Sequence, residues 1–219
     1  MKIYVVGNNK NRFLLNDIRE RFVVNQEHNN DNIDFLNPWY CELTAMYHLW
    51  KNCNDDIVGL EHYRRYFVNN RDMLLNKNEI QELLHNSDVV LTKWDYLART
   101  KCKNSWEYLA PNTKEYILKF LDTVQPDEKN FILHDMRTAT YFAKCNMFIC
   151  NKEILNEYCK WFFPIATCFT TQELLQYPRC VGYVSEFIFG SFLKMKEYKI
   201  KWQKSVEYDK TTQLIIGRF

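Results

Sequence analysis

The stretch Asn37-Pro-Trp-Tyr-Cys-Glu-Leu-Thr44, followed by Ile57-Val-Gly-Leu-Glu-His-Tyr-Arg-Arg-Tyr-Phe67, decides how this chain reads. Asn37 is a good N-cap and Pro38 suits the first helical position, so together they mark a helix start. Tyr40, Leu43, Tyr47 and Trp50 recur at helical spacing, and Lys51 sits in the last turn. This aromatic stripe reads as core rather than as a ligand platform. Asn52 to Asp56 turn the chain into Ile57–Leu60, a short apolar run that reads as a buried strand. That run stops at Glu61-His62-Tyr63-Arg64-Arg65, so an imidazole, a phenol and two guanidinium groups arrive at a strand's C-terminal edge. Open α/β sheets bind ligands in the crevice outside those edges, and paired Arg side chains offer planar, bidentate donors to phosphate. The segment reads as an anionic-ligand site.

Working outward, Ile3–Val6 predicts a first buried strand closed by the turn Gly7-Asn8-Asn9, with Lys10 and Arg12 directly behind. Residues 25–37, rich in Asn and Asp, read as a loop. A helix over 78–86 feeds the strand Asp88–Thr92, residues 93–110 read as irregular, and Pro111 to about Val124 is helical until Gln125-Pro-Asp127 breaks it. Phe131–Leu133 looks strand-like ahead of His134 and Asp135. Thr140–Cys150 is an apolar strand interrupted by Asn146, Asn151 caps a helix to about Phe163, another helix follows Gly182, and Tyr198–Trp202 alternates as a closing strand. This alternation predicts one α/β domain over residues 1–219, a mainly parallel mixed sheet flanked by helices.

Composition narrows the function classes. Hydrophobic residues make up 47% and aromatics 16%, with only 5 Gly and 5 Pro, which excludes a disordered or linker-rich chain. Lys plus Arg (29) nearly balance Asp plus Glu (27), too even for the dense cationic footprint of a nucleic-acid binder. The apolar run near Met1 is too short for a signal peptide or membrane span, so a cytoplasmic location is expected. The eight cysteines contain no C-x-x-C pair and read as reduced, small core residues.

Asp31-Asn-Ile33, Asn37-x-x-Tyr-Cys-Glu-Leu-Thr-Ala45, Trp50-Lys-Asn52 and Val58-Gly-Leu-x-His-Tyr-Arg-Arg-Tyr-Phe67 resemble a bacterial family long listed as a domain of unknown function, with members described as capsular or exopolysaccharide glycosyltransferases. Asn146-Met-Phe-Ile149, Glu157-Tyr-Cys159 and Arg179-x-x-Gly-Tyr-x-x-Glu186 follow in the family's order, so the resemblance spans about residues 31–193. Three features depart from the family pattern: Asn9 stands before Lys10 where the family tends to have His, Phe187 follows Glu186 where it usually has Arg, and the segment between the first strand and Asp31 is shorter than the family's. The resemblance implies a GT-A-like fold. It also implies transfer of a sugar, galactofuranose or another hexose or pentose, from a nucleotide-diphosphate donor to a hydroxyl of a polysaccharide or lipid-linked glycan.

Such chemistry must neutralise a leaving diphosphate and, for inversion, deprotonate the acceptor. The slot where GT-A enzymes usually carry D-x-D reads Glu61-His62-Tyr63 here. Either Glu61 or His62 ligates Mn²⁺ or Mg²⁺, or Arg64 and Arg65 supply the cation instead. Glu186 is the expected general base, with structural pairing to Arg179 as the alternative, and His134–Asp135 is the second choice. His62 joins Glu186 among the candidate catalytic residues. Lys10, Asn32, Glu42, Thr44, Tyr63, Arg64, Arg65, Asn146 and Arg179 are the candidate donor- and acceptor-binding residues. A glycosyltransferase acting on a modified nucleic-acid base and a non-catalytic nucleotide- or phosphoglycan-binding module are the rival readings.

Overall fold

The computed structural model describes residues 1–167, 177–209 and 214–219. Among the described residues nine strands join one sheet: β1 (Lys2–Gly7), β2 (Arg19–Val23), β3 (Ile57–His62), β4 (Arg65–Phe67), β5 (Val89–Asp95), β6 (Tyr141–Asn151), β7 (Ile200–Trp202), β8 (Ser205–Tyr208) and β9 (Ile215–Arg218). The order β2-β1-β3-β6-β5-β7 forms its main body. The sheet is mixed, as expected, but its parallel share is smaller than the sequence suggests. β1 runs parallel to β2 and β3, and β5 to β7, whereas β6 runs antiparallel to both its neighbours. After His62 a tight hairpin brings in β4, which continues antiparallel through β8 to β9. The sheet therefore forks at the end of β3.

Period-2 alternation explains the two cores. Val89 and Leu91 of β5, with Phe148 and Cys150 of β6, face the larger cluster beneath the helices α2 (Leu43–Asn52), α8 (Lys152–Thr167) and α9 (Cys180–Met195). Val90, Met147 and Ile149 face the smaller one, closed by Phe67, Leu75 and by Ile80 of α3 (Lys77–His85). α3 begins with a reciprocal cap, Asn76 bonding the Glu79 N–H and Glu79 bonding the Asn76 N–H. Gly59 is required by closeness: a Cβ there would sit 2.9 Å from the Phe148 carbonyl and 3.1 Å from Ile3. Tyr40 is fully buried, and Tyr47 and Trp50 pack with Phe163, so the aromatic stripe belongs to the core.

Several local expectations change. The helix begun at Asn37 is not continuous. α1 (Asn37–Tyr40) stops at Cys41, whose φ of 53° is left-handed, and the chain restarts as α2 with Glu42 at its N-cap. Asn37 lies inside the first turn rather than capping it, and its side chain donates to the Cys41 carbonyl and to Thr44 Oγ1. Residues 93–110 hold the end of β5 and two short capped turns, α4 (Tyr96–Arg99) and α5 (Ser105–Tyr108), before α6 (Pro111–Leu121). Phe131–Leu133 is not a strand: Gln125 and Glu128 cap α7 (Pro126–Thr138), which turns Ile132 and Met136 inward. The seven described cysteines are all free, and most of them are buried.

The deepest polar contact ties β2, β3 and β4 together. The Arg19 guanidinium donates to both oxygens of Glu61 at 2.7 and 2.9 Å and to the Leu75 carbonyl at 2.7 Å. The Phe67 N–H donates to Glu61 at 3.0 Å. Both side chains are wholly buried, so removing either partner strands a charge. Glu61→Ala is expected to cost about 3–5 kcal/mol in urea denaturation, while the double change Glu61→Leu, Arg19→Met recovers most of that loss.

Candidate functional site

The fork is made by an irregularity in β6. Ala143 pairs with Lys93 and Phe148 with Leu91, so residues 144–147 bulge opposite Thr92 alone. Cys145 and Asn146 both take left-handed conformations, with φ of 65° and 51°. Asn tolerates this region and Cys does not favour it, so the pair stores backbone strain on the order of 1–3 kcal/mol per residue. Hydrogen bonds on every side hold it. The Cys145 carbonyl accepts from His62 Nε2 at 3.0 Å, and its N–H donates to Glu186 Oε1 at 2.9 Å. Asn146 Nδ2 donates to Glu42 Oε1 at 3.0 Å and to the Gly182 carbonyl at 3.1 Å. Asn146 Oδ1 accepts from Ser185 Oγ, which lies 2.8 Å from the Tyr158 hydroxyl.

These bonds fix protonation states. A carbonyl only accepts, so His62 carries its proton on Nε2 and keeps Nδ1 as an acceptor. Burial, with Arg65 and Arg64 close by, lowers its pKa and keeps it neutral. Glu186 moves the other way. Burial, and then the nearby Glu42 carboxylate, push its pKa from 4.5 up to about 7, against the pull of the Cys145 N–H. Gly182 lets α9 approach closely enough to make this arrangement: a Cβ there would lie 3.3 Å from Cys41 Cβ and from the Tyr40 carbonyl.

A cationic group stands beside the carboxylates. Arg65 and Arg64 reach Glu207 Oε1 at 2.9 and 3.3 Å, and Lys144 Nζ lies 3.9 Å from Glu207 Oε2. Three cations thus share one carboxylate, and among the described residues the buried Arg65 Nε–H has no hydrogen-bond partner. Burial lowers the Lys144 pKa to about 8, with Arg65 adding to the effect. Lys144 also faces a cleft of about 520 Å³ between α5, α6, α9 and the sheet, whose walls include Trp94, Tyr108, Phe142, Tyr183 and Glu186.

The structure brings only some of the predicted residues together. His62, Glu42, Asn146 and Glu186 meet at the bulge, and Arg64 and Arg65 meet at Glu207. The expectation that Glu61 holds a metal fails on geometry. Alternation sends it to the opposite face from His62, where Arg19 and the Phe67 N–H occupy its carboxylate. His62 Nε2 is also engaged, by the Cys145 carbonyl, and among the described residues no group of three or more His, Cys, Asp or Glu converges. Thr44 is buried and bonds the Cys41 carbonyl, and Asn32 braces its own loop through the His28 and Asn30 carbonyls. Tyr63 lies beside Gly7 where β1 and β3 end, and Lys10 is exposed in the turn after β1. Arg179, left-handed at the start of α9, lies over the Tyr183 ring and beside the Cys41 thiol. Asp135, the second-choice base, bonds Ser191 and Lys194. Lys144 and Glu207 carried no sequence signal, because only tertiary folding sets them against the arginines.

The forked, mixed α/β sheet flanked by helices is a GT-A-like fold. It superposes on the apo structure of WbbM, a bifunctional glycosyltransferase, with a TM-score of 0.76 at 23% sequence identity over 93% of this chain. The matched region covers 44% of that larger protein, so this chain spans less than half of it. The chain belongs to the DUF4422 family, a domain of unknown function whose sequence model matches residues 3–197. No curated protein matches. Among the described residues no helix is long and apolar enough to cross a membrane.

The raised pKa of Glu186 has a sign that stability can report. The folded state holds a proton on Glu186 that the unfolded chain releases near pH 4.5, so its stabilising contribution is complete below 4.5 and lost as pH rises through about 7. Glu186→Gln, which keeps an acceptor for the Cys145 N–H, is expected to melt like the parent at pH 4.5 and above it at pH 8. Thermal denaturation across this range measures the difference.

Proposed function

We propose that the chain is a cytoplasmic glycosyltransferase that moves a sugar from a nucleotide-diphosphate donor to a hydroxyl of a glycan or lipid-linked glycan. The observation that carries this reading is Glu186, a carboxylate titrating near neutrality on the wall of a cleft, next to a surplus of positive charge. A base poised near the working pH is what removal of a hydroxyl proton requires. In the step, Glu186 takes the acceptor proton as the acceptor oxygen bonds the anomeric carbon. The bond from that carbon to the diphosphate breaks, and the diphosphate leaves with the electron pair. Arg64 and Arg65 meet the charge that develops, in place of a metal. Neutral His62 positions the bulge, and with it Glu186, through the Cys145 peptide.

The test is a panel of nucleotide sugars assayed by thermal shift and by donor turnover, with and without Mn²⁺. A donor present at a hundred times its dissociation constant adds about 2.7 kcal/mol of apparent stability. Binding and turnover that persist in a chelator support the reading. A panel with no binder and no turnover would remove it, and binding without turnover would leave a recognition module. Glu186→Gln is expected to lower the transfer rate by about 100-fold or more while the donor still binds, with the parent rate rising through about pH 7. Arg65→Ala is expected to weaken donor binding more than about tenfold, the loss of a charge-assisted bond.

A further inference from the structure

We infer that the 520 Å³ cleft beside Glu186 is the acceptor subsite, and that it takes the terminal ring of an uncharged glycan rather than a nucleic acid. The inference rests on the glycosyltransferase reading for its place in the reaction, but its own support is independent. The walls are unusually aromatic. Phe142 rises from β6, Tyr108 ends α5, Tyr183 stands on α9, and Tyr177 packs edge-on to Tyr116 of α6. Tyr108, Tyr177 and Tyr183 are among the few large rings that this chain leaves exposed, and all three border this one cleft. Exposed rings gathered in a concavity are a binding feature rather than incidental surface. The electron-rich face of an aromatic ring attracts the weakly positive C–H face of a sugar, while the sugar's hydroxyls need polar partners at its edge.

Those partners are present. Trp94 lines the cleft, its ring held between Phe219 and the Arg99 and Lys144 cations, and among the described residues its buried indole N–H has no hydrogen-bond partner. Asn112 and Thr113, at the start of α6, add amide and hydroxyl groups. The charge of the lining argues against a polyanion: among the described residues Lys144 is its one Lys or Arg side chain, and it stands beside the carboxyl of Glu186. Nucleic-acid affinity comes mainly from several Lys or Arg side chains neutralising phosphates, and this wall does not supply them. Glu186 is therefore placed to meet a sugar hydroxyl directed inward from the ring held by the tyrosines.

The indole N–H of Trp94 is its own reporter. In a ¹⁵N-labelled sample its proton–nitrogen resonance is assigned as the indole peak lost in Trp94→Phe. The protein is then titrated, without any nucleotide sugar, with methyl glycosides of galactose, glucose and mannose, and separately with a single-stranded oligonucleotide. Saturable movement of the Trp94 peak with at least one glycoside is the expected result. Tyr183→Ala should weaken that binding roughly 2- to 12-fold, the range an aromatic contact of 0.5–1.5 kcal/mol represents. A Trp94 peak that no glycoside moves, one that only the oligonucleotide moves, or one whose titration is unchanged in Tyr183→Ala would overturn the inference. The two readings fail separately. Donor turnover with a silent Trp94 peak refutes the acceptor subsite alone, whereas glycoside binding without any donor binding or turnover refutes the transferase alone.

Discussion

Two consecutive left-handed residues in the middle of a strand, Cys145 and Asn146, are the constraint on which the rest of the site depends. From Phe148 to Asn151 the β6 strand pairs with β3 in regular register, and just before Phe148 the chain swings out. The space it leaves at the end of β3 is taken by the hairpin to β4, which brings Arg65 in beside Glu207. The same swing points a peptide N–H at Glu186 and its carbonyl at His62. Backbone strain of this kind persists only where the surroundings over-determine it. Here a buried network running from Tyr158 through Ser185 and Asn146 to Glu42 does so.

The electrostatics follow from that geometry. Glu42 and Glu186 are held on either side of the bulge, and burial together with their mutual repulsion raises Glu186 into the range useful to a base. The cations stand slightly apart, gathered on Glu207, and Lys144 bridges from that group into the cleft. On the other face of β3 the buried Arg19–Glu61 pair performs a different task, joining β2, β3 and β4 into a rigid platform. Adjacent residues of one short strand thus serve opposite ends: Glu61 supports the fold and His62 orders the site.

Much of this was legible in the sequence, for identifiable reasons. The strands β1, β3 and β5 are short apolar runs bounded by turn residues, and the helices announce themselves by Pro, Asn and helical spacing. Asn146 was legible as a polar residue in an apolar strand, which needs a partner wherever it falls, and Glu186 through the resemblance carried by Arg179-x-x-Gly-Tyr-x-x-Glu186. The short strands β2, β4, β8 and β9 were not, because three to five residues carry little periodicity and their pairing is set by distant chain. The break at Cys41 was hidden too, since nothing about a cysteine announces a left-handed turn.

By itself, the sequence determined the class of fold, through its alternation of apolar runs with capped amphipathic segments, and it placed a charged cluster at the end of β3. Those are local properties of chain pattern and period. Only the tertiary structure decided what each charged group does. Alternation and register turned Glu61 inward to Arg19, and the bulge in β6 set Glu186 against Glu42 and Cys145. Chain closure across β4 and β8 set Lys144 and Glu207 beside the two arginines. A carboxylate's partner and its burial fix its charge, and both are supplied by residues far away in the chain.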